Sequence, residues 1–154
     1  MKDEALPVPV TQQLGRWALV VMWMGVIYFQ SSQSRLPLPG IDWLDEAIRI
    51  TGHFAEYFVL ALLLSRATAR ERSLRRWAVV LLVCATYALS DEWHQSHVPG
   101  RDASAFDLMV DMAGVAAACV VSFKRMKAEG QGMKRSPAIR DRESHTPRSH
   151  TSGS

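Results

Sequence analysis

Two stretches of this chain, residues 17–29 (WALVVMWMGVIYF) and 77–89 (WAVVLLVCATYAL), each run for 13 residues without a charge and without a polar face. A helix on the surface of a soluble bundle carries a polar stripe recurring every 3.6 residues, and neither stretch has one. Length argues the other way. A run of about 10–14 apolar residues is more often a buried core helix, and a membrane span needs about 20. Two further segments are apolar but carry charge. Residues 48–65 contain Arg49, His53 and Glu56, and residues 103–123 are interrupted only by Asp107 and Asp111. Four such segments with no alternating strand pattern predict an all-α chain.

The distribution of basic residues decides between a soluble and a membrane bundle. Of 18 Lys and Arg, 15 lie before the first segment, between the second and third, or after the fourth. The two opposite loops hold only Arg35 and Arg101, with Arg49 inside the second segment. This is the positive-inside pattern for four spans with both termini cytoplasmic. Aromatic residues mark the ends: Trp17, Trp77 and Phe123 on the basic side, Tyr28, Trp43, Trp93 and Phe106 on the other. The sequence therefore predicts a polytopic protein of the cytoplasmic membrane with four transmembrane helices, at about 14–30, 47–65, 76–94 and 103–123. Residues 1–13 form a short cytoplasmic segment. Residues 124–154, rich in Lys, Arg, Ser, Gly and Pro, are expected to be a disordered basic tail resting against anionic lipid.

Other classes are excluded on similar grounds. Cys84 and Cys119, the only cysteines, both sit in apolar runs, so no disulfide scaffold is built from them. There is no P-loop or zinc-ribbon spacing. The first segment is short enough for a signal peptide, but Asp3, Glu4 and the lack of an A-x-A-like site after it argue for a retained span. The net charge of +3 would suit nucleic acid, yet the basic residues sit where topology needs them, and no nucleic-acid partner is expected.

The polar residues inside the segments share a depth. A rise of about 1.5 Å per residue puts His53 and Glu56 about 10 and 15 Å below the outer surface, and Asp107 and Asp111 about 6 and 12 Å below it. The third segment reaches the same level through Asp91, Glu92 and His94. Arg49, His53 and Glu56 share one helix face; Tyr87, Asp91 and His94 share another; Asp107, Asp111 and Gly114 share a third. Three acids facing lipid would cost about 8–10 kcal/mol at about 2.5–3.5 each. They are therefore expected to face one another across an outward polar cavity. Gly114 and the small run 116–118 let helices pack closely. Pro99-Gly100 makes a tight outer turn that carries Arg101 above the cavity. Ser31, Ser32, Gln33 and Ser34 cap the outer end of the first segment.

The series Ser31-Ser32-Gln33-Ser34, His53-Phe54-x-Glu56-Tyr57-x-x-Leu60, Asp91-Glu92-x-His94-Gln95-x-x-x-Pro99-Gly100-Arg101 and Asp107-x-x-x-Asp111-x-x-Gly114 resembles the VanZ-like family over about residues 14–123. The resemblance implies a small bacterial integral membrane protein, in a family whose founding member is linked to resistance to the glycopeptide teicoplanin. Two positions depart from the family's pattern. Ile50, with Arg49 beside it, stands where members often carry a basic residue three before the His, and Asp111 stands where many have Asn.

The expected function is binding. A cavity bearing Arg49, His53, Glu56, Asp91, Glu92, His94, Gln95, Arg101, Asp107 and Asp111 suits an anionic envelope ligand: a membrane lipid headgroup or a lipid-linked cell-wall precursor, masked from an antibiotic. The alternative is a membrane-embedded enzyme acting on a lipid-linked phosphate. Its general acid or base would come from His53, Glu56, Asp91 or Glu92, with Arg49 and Arg101 gripping the anion. His53 with Glu56, or Asp91 with His94, are candidate ligands for a divalent metal, though the spacing matches no established motif. Relay of protons or a small ion is a third class, weakened by the absence of a polar path through the cytoplasmic half.

Overall fold

The computed structural model describes residues 9–34, 41–68, 74–101 and 103–135. Four helices account for them: α1 (Val10–Ser31), α2 (Asp42–Ala67), α3 (Leu74–Gln95) and α4 (Ala105–Arg135). There is no strand among the described residues. The all-α expectation holds.

The apolar runs lengthen into full helices by recruiting their polar flanks, as 22 residues in α1 and in α3 require. α2 begins with Asp42 and Asp45 in its first turn and ends with Arg66 in its last, so charges at both ends complement the helix dipole. α2 and the 105–125 part of α4 are long and apolar enough to cross a membrane. α1 and α3 reach the length but fall short in apolarity, because Gln12, Gln13 and Arg16 in one and Ser90, Asp91 and Glu92 in the other belong to the helix. At the far end, α4 stays helical through Arg135 instead of giving way to irregular tail at Lys124. Met, Lys, Ala, Glu and Gln there are good helix formers, and they prolong a helix that tertiary packing has already nucleated. Residues 136–154 of the expected tail, like 1–8 at the other end, lie outside the described residues.

The chain divides into two compact units, Met1–Val120 and Val121–Ser154. In the second, the described part is the last stretch of α4. The first holds the core, and its helices alternate in direction. Gln13 Nε2, near the start of α1, donates to Ala67 O at the end of α2 (2.7 Å). Tyr87 Oη on α3 donates to Met24 O on α1 (2.6 Å), and Gln95 Nε2 reaches Ser31 Oγ (2.8 Å), so α3 runs alongside α1 in the same sense. The core is narrow: Val20 and Ile27 from α1, Tyr57, Leu60 and Leu64 from α2, Val80 and Cys84 from α3, Val115 and Ala118 from α4. Many other apolar side chains are exposed, among them Val21, Met22, Phe29, Trp43, Leu82, Trp93 and Met109.

Gly114 sets the spacing of α4 against α2. A Cβ there would run into the carbonyl oxygen of Phe54 and lie 3.1 Å from Phe58 N, with no flexible side chain to yield. Only glycine lets the two backbones approach this closely.

Candidate functional site

The end of α1, the first half of α2, the end of α3 and the start of α4 meet at one end of the bundle, where a cavity of about 330 Å³ opens. α1 contributes Gln30, Ser31 and Gln33, and α2 contributes Asp45, Ile48, Arg49, Gly52, His53 and Glu56. Gln95 and Arg101 close the third side. His53 and Gln95 are buried, while Arg49 and Glu56 are half-buried.

Between α2 and α4 the charges interdigitate. Arg49 is ion-paired with Glu46 one turn earlier on its own helix and with Asp107 on α4. One turn deeper, His53 Nδ1 donates to Asp111 Oδ1 (2.9 Å), and its Nε2 lies 3.8 Å from Asp107 Oδ2. Both pairs arise because residues four apart on a helix stack on one face, so Arg49 and His53 meet Asp107 and Asp111 in register. Asp107 and Asp111 are 3% and 0% exposed, and a charge so enclosed must be paired.

α3 supplies a second network. Gln95 Nε2 donates to Asp91 Oδ2 (2.9 Å) as well as to Ser31, which fastens α3 to α1. Glu92, the next residue round the helix, points to α4 and accepts from Ser104 N (2.7 Å), holding the start of that helix. His94 turns away from the cavity: its Nε2 lies 3.0 Å from Ser32 Oγ and its ring stacks on Tyr28 at 4.6 Å. Beyond α3, Arg101 N donates to Val98 O (3.1 Å), closing a turn with Pro99 second and Gly100 third at φ 78°. That is the left-handed position a type II turn reserves for glycine. The turn sends the Arg101 guanidinium back to Gln30 O in the last turn of α1, which also accepts from Gln33 N, and to Gln33 O just beyond the helix.

Arg49, His53, Glu56, Gln95 and Arg101 thus line the cavity. Glu92, Asp107 and Asp111 stand behind them, Asp91 is buried beside Gln95, and His94 faces the outer rim of α1. The model for the VanZ/LLP1 family matches residues 16–125, which contain all of these groups.

The chain belongs to the VanZ/LLP1 family. No curated protein and no solved structure matches it. The matched region of this VanZ/LLP1 protein also holds polar groups the sequence did not single out. Gln30, Asp45 and Glu46 extend the cavity or its ion pairs, and Glu46 was visible as an acid three residues before Arg49. Trp23 Nε1 donates to Glu56 O (2.9 Å), and Tyr57 is fully buried with its hydroxyl unpartnered among the described residues. Trp23 inside an apolar run gives no signal of its role, and Tyr57 stood out only as a position of the family motif.

The metal pairing expected from sequence falls differently. Among the described residues, the His and acidic side chains with ligand-like spacing are His53, Glu92 and Asp111, whose ligand atoms lie within 4.8 Å of one another. Of the candidates named from sequence, Asp91 is engaged with Gln95, and His94 with Ser32.

Proposed function

We propose that this VanZ/LLP1 protein spans the cytoplasmic membrane four times, with both termini cytoplasmic. In this reading the cavity opens outward and binds the anionic headgroup of an envelope lipid or a lipid-linked cell-wall precursor. The carrying observation is that Arg49 and Arg101 line one cavity of about 330 Å³ together with Gln30, Gln33 and Gln95. A guanidinium suits a phosphate or carboxylate because its planar donors match two oxygens at once. The lining acids, Asp45 and Glu56, favour a ligand that also presents hydroxyl, amide or ammonium donors. Large apolar side chains on the outside of the helices support a lipid surround, as does the exposure of Tyr28, Trp43, Trp93 and Phe106 near the cavity end. Masking such a ligand would give glycopeptide tolerance.

The enzymatic reading has one observation in its favour. His53 faces the cavity and is held from behind by Asp111, the arrangement of a general base and its orienting carboxylate. Turnover of a lipid-linked phosphate at this dyad is the second reading.

Native mass spectrometry of protein extracted from its own membrane separates the outcomes. Wild type should carry a lipid or precursor adduct that Arg49→Gln and Arg101→Gln lose while retaining their helicity. Wild type without an adduct, or an adduct kept by both variants, would contradict the binding reading.

A further inference from the structure

His53 on α2, Glu92 on α3 and Asp111 on α4 are 6%, 8% and 0% exposed, so three helices deliver ionisable groups to one enclosed point. Their ligand atoms lie within 4.8 Å of one another. Each carboxylate has one oxygen already used. Asp111 Oδ1 accepts from His53, and Glu92 Oε2 accepts from Ser104 N. The other oxygens, Asp111 Oδ2 and Glu92 Oε1, have no hydrogen-bond partner among the described residues. A buried acceptor left open is costly, and two in one cluster with a His mark a place that a cation would complete.

We infer that His53, Glu92 and Asp111 form a binding site for a divalent cation of the zinc or manganese class. One imidazole nitrogen and two carboxylate oxygens suit those ions, whereas magnesium and calcium favour all-oxygen shells. Bonds of about 2.0–2.2 Å would hold donors about 3.3 Å apart around a tetrahedral ion, against separations of at most 4.8 Å here. Three protein ligands leave at least one coordination position open. Of the three ligands, His53 lines the cavity, and Glu92 and Asp111 lie behind it. Asp107, beside His53 and ion-paired with Arg49, adds a carboxylate next to the site without being one of the three ligands. The site stands whatever headgroup fills the cavity, since its donors and their orphaned oxygens are independent of Arg101 and the glutamines.

The test uses full-length protein in detergent, stripped with chelator, dialysed separately against Zn²⁺, Mn²⁺ or Mg²⁺, and assayed for retained metal by elemental mass spectrometry. Wild type should keep about one Zn²⁺ or Mn²⁺ per chain and no Mg²⁺. Asp111→Asn and Glu92→Gln preserve shape and should lower retention at least about tenfold, while Asp91→Asn, bonded to Gln95 instead, should retain the ion. Metal-free wild type after dialysis, retention of Mg²⁺ instead, or equal retention in Asp111→Asn and Glu92→Gln would overturn the site. A second readout needs no variant. Zn²⁺ or Mn²⁺ should raise the Tm of stripped wild type and chelator should reverse the rise; an unmoved Tm would also overturn it.

Discussion

His53 Nδ1 meets Asp111 Oδ1 at 2.9 Å across the α2–α4 contact, with the carboxylate fully enclosed. This pair, and the Arg49–Asp107 ion pair one turn above it, bind two helices by charge where the core of the bundle is apolar. The same two helices approach closely at Gly114. Polar pairing and backbone proximity support each other, because a wider gap would leave both acids unpaired.

Removing one member of the pair should therefore cost more than its hydrogen bond. Asp111→Ala leaves His53 buried beside a void, and the expected loss is about 3–5 kcal/mol, the range for breaking a buried charged pair. Denaturant unfolding in detergent measures it. A loss below about 1 kcal/mol would show that the pair is not structural.

Gly114→Ala should lower stability by at least about 1 kcal/mol, since the added methyl meets Phe54 O and Phe58 N, and backbone cannot move aside as a side chain can. Gly25→Ala on α1, where a Cβ has open space, should instead stabilise by about 0.5–1 kcal/mol. Equal responses at the two positions, read as Tm in detergent, would contradict the close α2–α4 packing.

Two tyrosines make a paired prediction. Tyr87→Phe deletes the hydrogen bond to Met24 O (2.6 Å) and should cost about 0.5–1.5 kcal/mol. Tyr57→Phe removes a buried hydroxyl that has no partner among the described residues, and should be neutral or stabilising. The reverse order would mean that the ring of Tyr57 is positioned by its hydroxyl.

Much of this arrangement was readable in advance, and the reason is periodicity. Arg49 and His53 are four apart, as are Asp107 and Asp111, so each pair had to share a face, and the cost of burying acids turned them inward; that Asp107 and Asp111 meet Arg49 and His53 instead of other acids was not readable. What the spacing left open was which neighbour each side chain takes. Asp91 and Glu92 are adjacent, yet successive helical residues diverge by about 100°, so one turns to α1 through Gln95 and the other to α4 through Ser104. His94 shares a face with Asp91 but stands nearly a turn further out, where Tyr28 and Ser32 are within reach and the cavity is not. The length of α4 was also hidden, because a basic, polar composition looks like tail even where its residues are good helix formers.

Gly100 offers a test of how Arg101 is held. Its φ of 78° is open to glycine and strained for other residues, so Gly100→Val should cost about 1–2 kcal/mol and loosen the guanidinium from Gln30 O and Gln33 O. The accompanying loss of the cavity adduct in native mass spectrometry would tie the turn to binding; an unchanged adduct would separate them.

The central claim is that the polar end of the bundle faces the outside of the cell, and topology reporters test it most directly. Fusions after Ser34 and after Arg101 should read external, and fusions after Arg72 and after Ser154 should read cytoplasmic. The opposite pattern at either pair would turn the cavity toward the cytoplasm and contradict an envelope ligand.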